Sequence, residues 1–420
     1  MIFMVPIAPY GVFGFVWQDS KGMVPLAYLL GLAGMFSTAV SYATMSREFP
    51  VAGSVYSYAR HGLHEIAGFF AGWLILLDYI LVPALLYLMS AAALQPILPQ
   101  VPAAAWLGGF IAFNALVNVR GVHLTARVNR VVLWIELASL AAFVGVGLWA
   151  LYGTRVGGGL TWRPIYDPAV FSPSLVAGAT SIAVLSFLGF DGISTLAEEH
   201  RGAADAVGRA TLLALTLIGA LFVVQTWIAS DLARGMHFGS LATAFYDVAD
   251  RAGGRWLRLA TILVSVLATG VANAMAAQAA VSRILFAMAR DGRLPRVLAR
   301  VHPTFRTPYF STGVVAAVSL AVGLLFGGRI DDLSRVVNFG ALCGFVLLHL
   351  SVINHCLRRQ RSRRWGRHLV LPLLGLAVIG YVLAEMSASA KWLGAAWIAI
   401  GAVYYVVLAG RLRRPVALDL

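Results

Sequence analysis

The sequence predicts an all-α integral membrane protein with about 12 transmembrane helices, and three observations carry that prediction. First, 60% of the 420 residues are hydrophobic and only 12% are charged, where a soluble globular chain averages about 25% charged. Second, apolar runs of roughly 20 residues, long enough to cross a bilayer, begin near Ile2, Val24, Ile66, Ala104, Val128, Ser174, Ala210, Trp256, Phe310, Leu333, Leu369 and Trp392. Third, two of these runs are punctured where a buried helix should be continuous. The first holds "VPIAPYGVFG" (Val5 to Gly14) and the sixth holds "SFLGFDG" (Ser186 to Gly192). No linker, low-complexity tract or charge block divides the chain, so residues 1–420 read as one domain.

Taken in order, span 1 is interrupted by Pro6, Pro9 and two glycines, and span 2 leads into "FPVAGSVYSYAR" (Phe49 to Arg60). Span 3 contains "LLDYILVP", with Asp78 beside Tyr79 and Pro83 five residues on, and span 5 contains Glu136 in "LWIELASL". Span 6 is interrupted five spans after the first break and closes with Glu198 and Glu199. Paired Gly/Pro interruptions at matching places in two halves point to inverted repeats. Here the repeats would be spans 1 to 5 (roughly residues 1–152) and spans 6 to 10 (roughly 174–357), with helices 11 and 12 (roughly 369–409) appended. The plainer reading is a pair of ordinary kinks, since Gly and Pro are common in membrane helices.

The formal charge of +14 would suit nucleic acid, but its placement favours a membrane. Roughly two-thirds of the Lys and Arg fall in the connections after spans 2, 4, 6, 8 and 10 and at the C-terminus, the bias that marks cytoplasmic loops. Both termini are then expected in the cytoplasm, and "RRQRSRRWGR" (Arg358 to Arg367) becomes a loop facing lipid headgroups. No nucleic-acid partner is expected. Cys343 and Cys356 are thirteen residues apart in one predicted helix, about 20 Å, too far for a disulfide. The chain has no G-x-x-x-x-G-K-[ST] phosphate loop and no His/Cys cluster at metal spacing, so neither a cofactor nor a metal is expected.

Unwound backbone inside a membrane must face protein or a wet cavity, and the ends of half-helices carry partial charge. A break can therefore present carbonyls, amides and a carboxylate to a polar solute. On this ground Pro6, Ile7 and Ala8 in span 1, and Ser186, Phe187, Gly189, Phe190 and Asp191 in span 6, are candidate substrate-binding residues.

The strings "SFLGFDGISTLAEE" and "FPVAGSVYSYAR" resemble the amino acid–polyamine–organocation permeases. The likeness runs nearly end to end and is strongest to the bacterial putrescine importer group. "LLDYILVP", "VSRILFAMARD", "VHPTFRTP" before span 9 and "VNFGALCGFVLLHLSVINH" in span 10 all look like that group. The resemblance implies the LeuT-type five-plus-five fold and uptake of putrescine, another polyamine or an amino acid across the inner membrane, driven by protons. The chain departs from the pattern twice. Many proton-coupled members carry a lysine in span 5, whereas Lys21 and Lys391 are the only lysines here. Members also carry some tens of residues before the first break. Met1 to Val5 rise only about 7.5 Å against about 15 Å for half a hydrocarbon core. A missing N-terminal extension is therefore expected, the alternative being a short form in a locally thinned bilayer.

Of the eighteen acidic residues, Asp78, Glu136 and Asp191 lie deep in predicted spans. Asp191 is where the family places a substrate-facing or gating carboxylate, which could bind an ammonium and couple a proton; alternatively it caps the second half-helix. Asp78 could meet the second ammonium of a diamine, or make a structural hydrogen bond. Tyr79, Phe187 and Phe190 offer cation–π faces, each worth ~0.5–2 kcal/mol, or plain packing. Glu136 could replace the missing lysine as proton carrier, or pair with an arginine or a carbonyl. Glu198 and Glu199 read as gate residues or partners for Arg283 or Arg60. An intramembrane aspartyl protease dyad of Asp78 and Asp191 does not fit, since the second string is L-G-F-D and two further spans intervene. A non-transporting sensor on a permease scaffold is the remaining alternative class.

Overall fold

The computed structural model describes residues 5–49, 54–121, 126–153, 155–190, 205–290 and 294–412. Asp191, Glu198 and Glu199, and the Met1 to Met4 part of the first span, lie outside the described residues. Among those described, every regular element is helical. In chain order they are α1 (Phe13–Ser20), α2 (Val24–Glu48), α3 (Ser54–Gly62), α4 (Glu65–Leu94), α5 (Ala103–Val119), α6 (Ala126–Tyr152), α7 (Pro173–Ala183), α8 (Asp205–Leu232), α9 (Ala244–Gly253), α10 (Arg255–Ser265), α11 (Ala274–Arg290), α12 (Tyr309–Leu325), α13 (Ile330–Val352), α14 (Leu371–Glu385) and α15 (Ala388–Leu412). Eight helical stretches are long and apolar enough to cross a membrane; α5, α12 and the helix Pro173–Phe187 are apolar but shorter.

Two helices were not expected from hydropathy. α3 and α9 are short and polar on one side, so they do not register as spans. In α9 the buried residues Phe245, Val248, Ala249 and Ala252 follow the i, i+3, i+4, i+7 pattern of a helix with one apolar face.

The chain forms two interleaved compact units. One takes residues 1–26, 79–171 and 222–334; the other takes 27–78, 172–221 and 335–420. Each unit draws segments from both expected repeats, so this grouping is a different partition from the repeats.

In the first unit α5 packs on α12, α9 on α10 and α6 on both α9 and α10. Where lipid is as apolar as leucine, polar side chains buried between helices add cohesion. Asn114 of α5 donates to the Gly270 carbonyl at 2.8 Å, and Asn118 donates to Gln278 Oε1 at 2.8 Å. Gly270 lies in the π-helical turn Val266–Asn273 between α10 and α11, where the displaced ladder leaves carbonyls for such partners. At one end of this unit Thr307 donates to the Val119 carbonyl, joining the end of α5 to the connection before α12. Elsewhere Asp231 accepts from the Thr161 amide and hydroxyl, both at 2.7 Å, joining the connection after α6 to the end of α8.

In the second unit α14 packs on α7, and α13 approaches α4 closely. A Cβ on Gly340 would stand 2.5 Å from the Leu74 carbonyl oxygen and 3.4 Å from the Asp78 amide nitrogen, so glycine is what permits this crossing. Trp73 and Trp397 donate to each other's carbonyls at 2.8 and 2.9 Å, with rings stacked at 4.6 Å. The basic segment after α13 clasps the turn after α3. Arg359 donates to the His61 and Leu63 carbonyls at 2.7 Å each, and Asn354 donates to the Gly62 carbonyl at 2.7 Å.

Candidate functional site

The described candidate residues fall into two groups, each within its own unit. In the first unit the span 1 interruption is real. Ala8–Gly11 is a single 3-10 turn, and Val12, at φ −123° and ψ −3°, is not helical, so α1 starts only at Phe13. Proline at the start of that turn has no N–H to contribute and a fixed φ, which suits it to the first helical turn. Ile7 is buried, and the freed Pro6 carbonyl accepts from Gln225 Nε2 of α8 at 3.0 Å. Tyr10 stacks on Phe245 of α9 at 3.8 Å and lies 6.1 Å from Phe143 of α6, fixing the turn against a second helix layer.

In the second unit α7 stops at Ala183 and continues as a 3-10 turn, Val184–Phe187. Leu188 is extended at φ −60° and ψ 144°, and Gly189 has φ +106°, a value that only glycine adopts without strain. The helix is therefore opened at the place where the sequence carries "FLGF". Ser186 Oγ shares a 2.8 Å hydrogen bond with the Tyr28 hydroxyl of α2. Phe187 packs 5.9 Å from the Tyr28 ring, and Phe190 lies 5.7 Å from both Tyr42 and Phe345. Both phenylalanines are fully buried, so in this conformation their rings serve packing.

Upstream of the opening, Asn338 Nδ2 of α13 donates to the Ser181 carbonyl at 2.7 Å, and Arg335 Nη1 donates to Ser181 Oγ at 3.0 Å. These contacts hold the end of α7 as it loses its own ladder. His349, further along α13, meets Thr38 Oγ1 at 3.2 Å through Nε2 and Ser41 Oγ at 2.9 Å through Nδ1. The Thr38 hydroxyl already donates to the Gly34 carbonyl at 2.8 Å. Nε2 must therefore carry the proton toward Thr38, and Nδ1 accepts from Ser41.

Asp78 is buried in α4 at the Gly340 crossing, and Tyr79, the next residue, is half-buried. Glu136 is buried in α6, and the arginine or carbonyl partner expected for it is not found among the described residues. Arg60, weighed as a partner for Glu198 or Glu199, lies 3.7 Å from Glu65. Asp191, Glu198 and Glu199 fall outside the described residues. Sequence reading passed over Arg335, Asn338, His349 and Gln225. The available signal was their polarity within apolar runs, which marks intramembrane residues as functional or structural partners.

Eight helical stretches long and apolar enough to cross a membrane, beside two shorter segments opened at Gly/Pro-rich points, define a multi-pass membrane protein. The family profile described as "Amino acid permease" matches residues 1–410, and the chain belongs to that family, whose members are permeases rather than enzymes. It is 30% identical over 426 residues to the low-affinity putrescine importer PlaP of Escherichia coli (strain K12), covering 99% of this chain and 92% of that protein. It is 26% identical over 406 residues to the branched-chain amino acid permease BcaP of Bacillus subtilis (strain 168), covering 90% and 84%. The methylthioribose transporter of the same organism is likewise 26% identical, over 407 residues, covering 90% and 83%.

Proposed function

We propose that this chain is a secondary active transporter that imports putrescine or a related small organic cation across the inner membrane by alternating access, coupled to protons. The observation that carries the proposal is the open backbone at Leu188 and Gly189 immediately before Asp191, in a chain similar to a putrescine importer over nearly its whole length. In this reading twelve spans form a LeuT-type arrangement of two five-span repeats with two helices appended, and both termini are cytoplasmic. Asp191 holds one ammonium group and Asp78 a second. Pro6, Ile7, Ala8, Ser186 and Gly189 are the further substrate-binding residues of this reading, and Tyr79, Phe187 and Phe190 offer cation–π faces. Glu198 and Glu199 act at the cytoplasmic gate, and the buried carboxylates carry the proton.

A second reading is an amino acid permease of the same fold, favoured by the 26% identity to BcaP. Radiolabelled putrescine uptake into proteoliposomes, with diamines, longer polyamines and amino acids as competitors, separates the two. Saturable uptake competed by diamines, rising with an inward proton gradient and collapsing with a protonophore, is expected. Asp191→Asn at equal abundance should weaken it by the ~1.5–3 kcal/mol of a charge-assisted hydrogen bond. Competition by neutral amino acids alone establishes the second reading, and a chain that moves none of these solutes is a sensor rather than a carrier.

A further inference from the structure

In the second unit, a short basic segment joins Ile330–Arg359 to Gly366–Glu385, two stretches long and apolar enough to cross a membrane, so it sits at a membrane surface. Its own hydrogen bonds hold it in place. α13 runs into a π-helical turn, Ile353–Arg359, and α14 is preceded by another, Gly366–Val370. Between them the Gln360 amide donates to the His355 carbonyl at 3.0 Å, and the Ser362 amide to the Cys356 carbonyl at 2.9 Å. Ser362 Oγ accepts from the Arg364 amide at 3.3 Å and meets His368 Nδ1 at 2.8 Å. Two arginines tie the segment to its neighbours. Arg359 donates to the carbonyls of His61 and Leu63, and Arg367 Nε donates to Thr44 Oγ1 of α2 at 3.1 Å.

The other arginines have no such role. Arg358, Arg361, Arg363 and Arg364 are exposed, and their guanidinium groups make no hydrogen bond or ion pair among the described residues. Glu48, the one described carboxylate bonded to this segment, is already held by Gln360 at 2.5 Å, with His355 3.8 Å away. Like charges fixed close together repel, and this backbone does not let them spread. Trp365 follows at 61% exposure. Beyond it the exposed residues Val370, Leu373, Leu374 and Ala377 recur at the spacing of one helix face. A row of cations, an indole suited to the membrane interface and an apolar stripe along α14 therefore form one continuous surface.

We infer that this surface binds an anionic phospholipid, with its phosphate among Arg361, Arg363 and Arg364, the Trp365 indole beside the glycerol, and an acyl chain along Val370, Leu373 and Leu374. Arginine suits the headgroup because its planar fork donates to two phosphate oxygens at once. A soluble polyanion such as a nucleic acid would meet the same arginines but not the indole or the stripe, whereas a lipid engages all three. The bound headgroup offsets the repulsion within the segment. Because Arg359 and Arg367 anchor that segment to the turn after α3 and to α2, occupancy steadies the packing of these elements. The inference holds whichever solute the chain carries.

Native mass spectrometry of the full chain in neutral detergent, titrated with dioleoylphosphatidylglycerol, tests it, with the melting temperature measured alongside. Phosphatidylglycerol should bind at least about tenfold more tightly than phosphatidylcholine of the same acyl chains and raise the melting temperature. Each arginine at a membrane surface adds about fivefold to the attraction for anionic lipid. Replacing Arg361, Arg363 and Arg364 together by glutamine should therefore weaken binding about a hundredfold. Without added lipid this variant should melt as the wild type does, since none of the three guanidinium groups bonds to the fold. Arg329→Gln removes a charge just before α13, at its other end, and should leave lipid binding unchanged. If the triple variant does not fold, Arg363→Gln carries the test with a loss of about fivefold. Equal binding of the two lipids, a triple variant that binds like the wild type, or an equal loss in Arg329→Gln and Arg363→Gln overturns the inference. Binding of glycerophosphoglycerol as tight as that of the whole lipid, or displacement of the lipid by an equal concentration of single-stranded oligonucleotide, also overturns it. No solute is moved in these measurements, so their failure is distinct from a failure of the transport reading.

Discussion

Ser186 shows how one side chain can stabilise an interrupted helix. Its hydroxyl is nearly buried and bonded across 158 residues to Tyr28. Removing only the hydroxyl in Tyr28→Phe leaves Ser186 without that partner, a loss of about 1–3 kcal/mol. Deleting both groups is cheaper than the sum, because Ser186→Ala in the Tyr28→Phe background strands nothing. A thermal-unfolding double-mutant cycle in detergent should therefore give a coupling of about 1 kcal/mol, and additive effects would show that the bond contributes nothing. Much about such residues was legible: Pro6 and Gly189 announced their breaks because few other residues tolerate those conformations. The partners were not. Nothing near Ser181 in the chain says that Asn338 holds its carbonyl, 157 residues away.

Among the elements, α4 and α13 illustrate how packing in an apolar solvent depends on small residues rather than on burial alone. Hydropathy locates both helices, yet it is silent on the crossing at Gly340, where a Cβ would meet backbone at Leu74 rather than a movable side chain. Gly340→Val should cost about 1–3 kcal/mol by overpacking and lower the yield of monodisperse protein. Gly380→Ala, with nothing within 4 Å of the added carbon, is the control and should change neither yield nor melting temperature. Equal behaviour of the two would mean that the crossing is not tight. The short helices α3 and α9 escaped hydropathy for the opposite reason: each is largely buried although it is short and its composition stays polar.

Across the whole molecule, the distribution of Arg and Lys carries a topological prediction. The segment Arg358 to Arg367 and the C-terminus are expected to face the cytoplasm. A cysteine at Arg361, in a variant lacking Cys343 and Cys356, should resist a membrane-impermeant thiol reagent in intact cells and react after permeabilisation; labelling in intact cells would invert the topology. The sequence by itself determined that this chain is helical and lives in a membrane, because apolar length and charge bias are local, additive properties. It also determined where two helices open, because proline and glycine act on their own backbone. Only the tertiary structure decided what meets those openings: Gln225 at Pro6, Tyr28 at Ser186 and Asn338 at Ser181. Buried polar groups find partners by proximity in space, and that proximity is set by helix packing over separations of 150 residues and more.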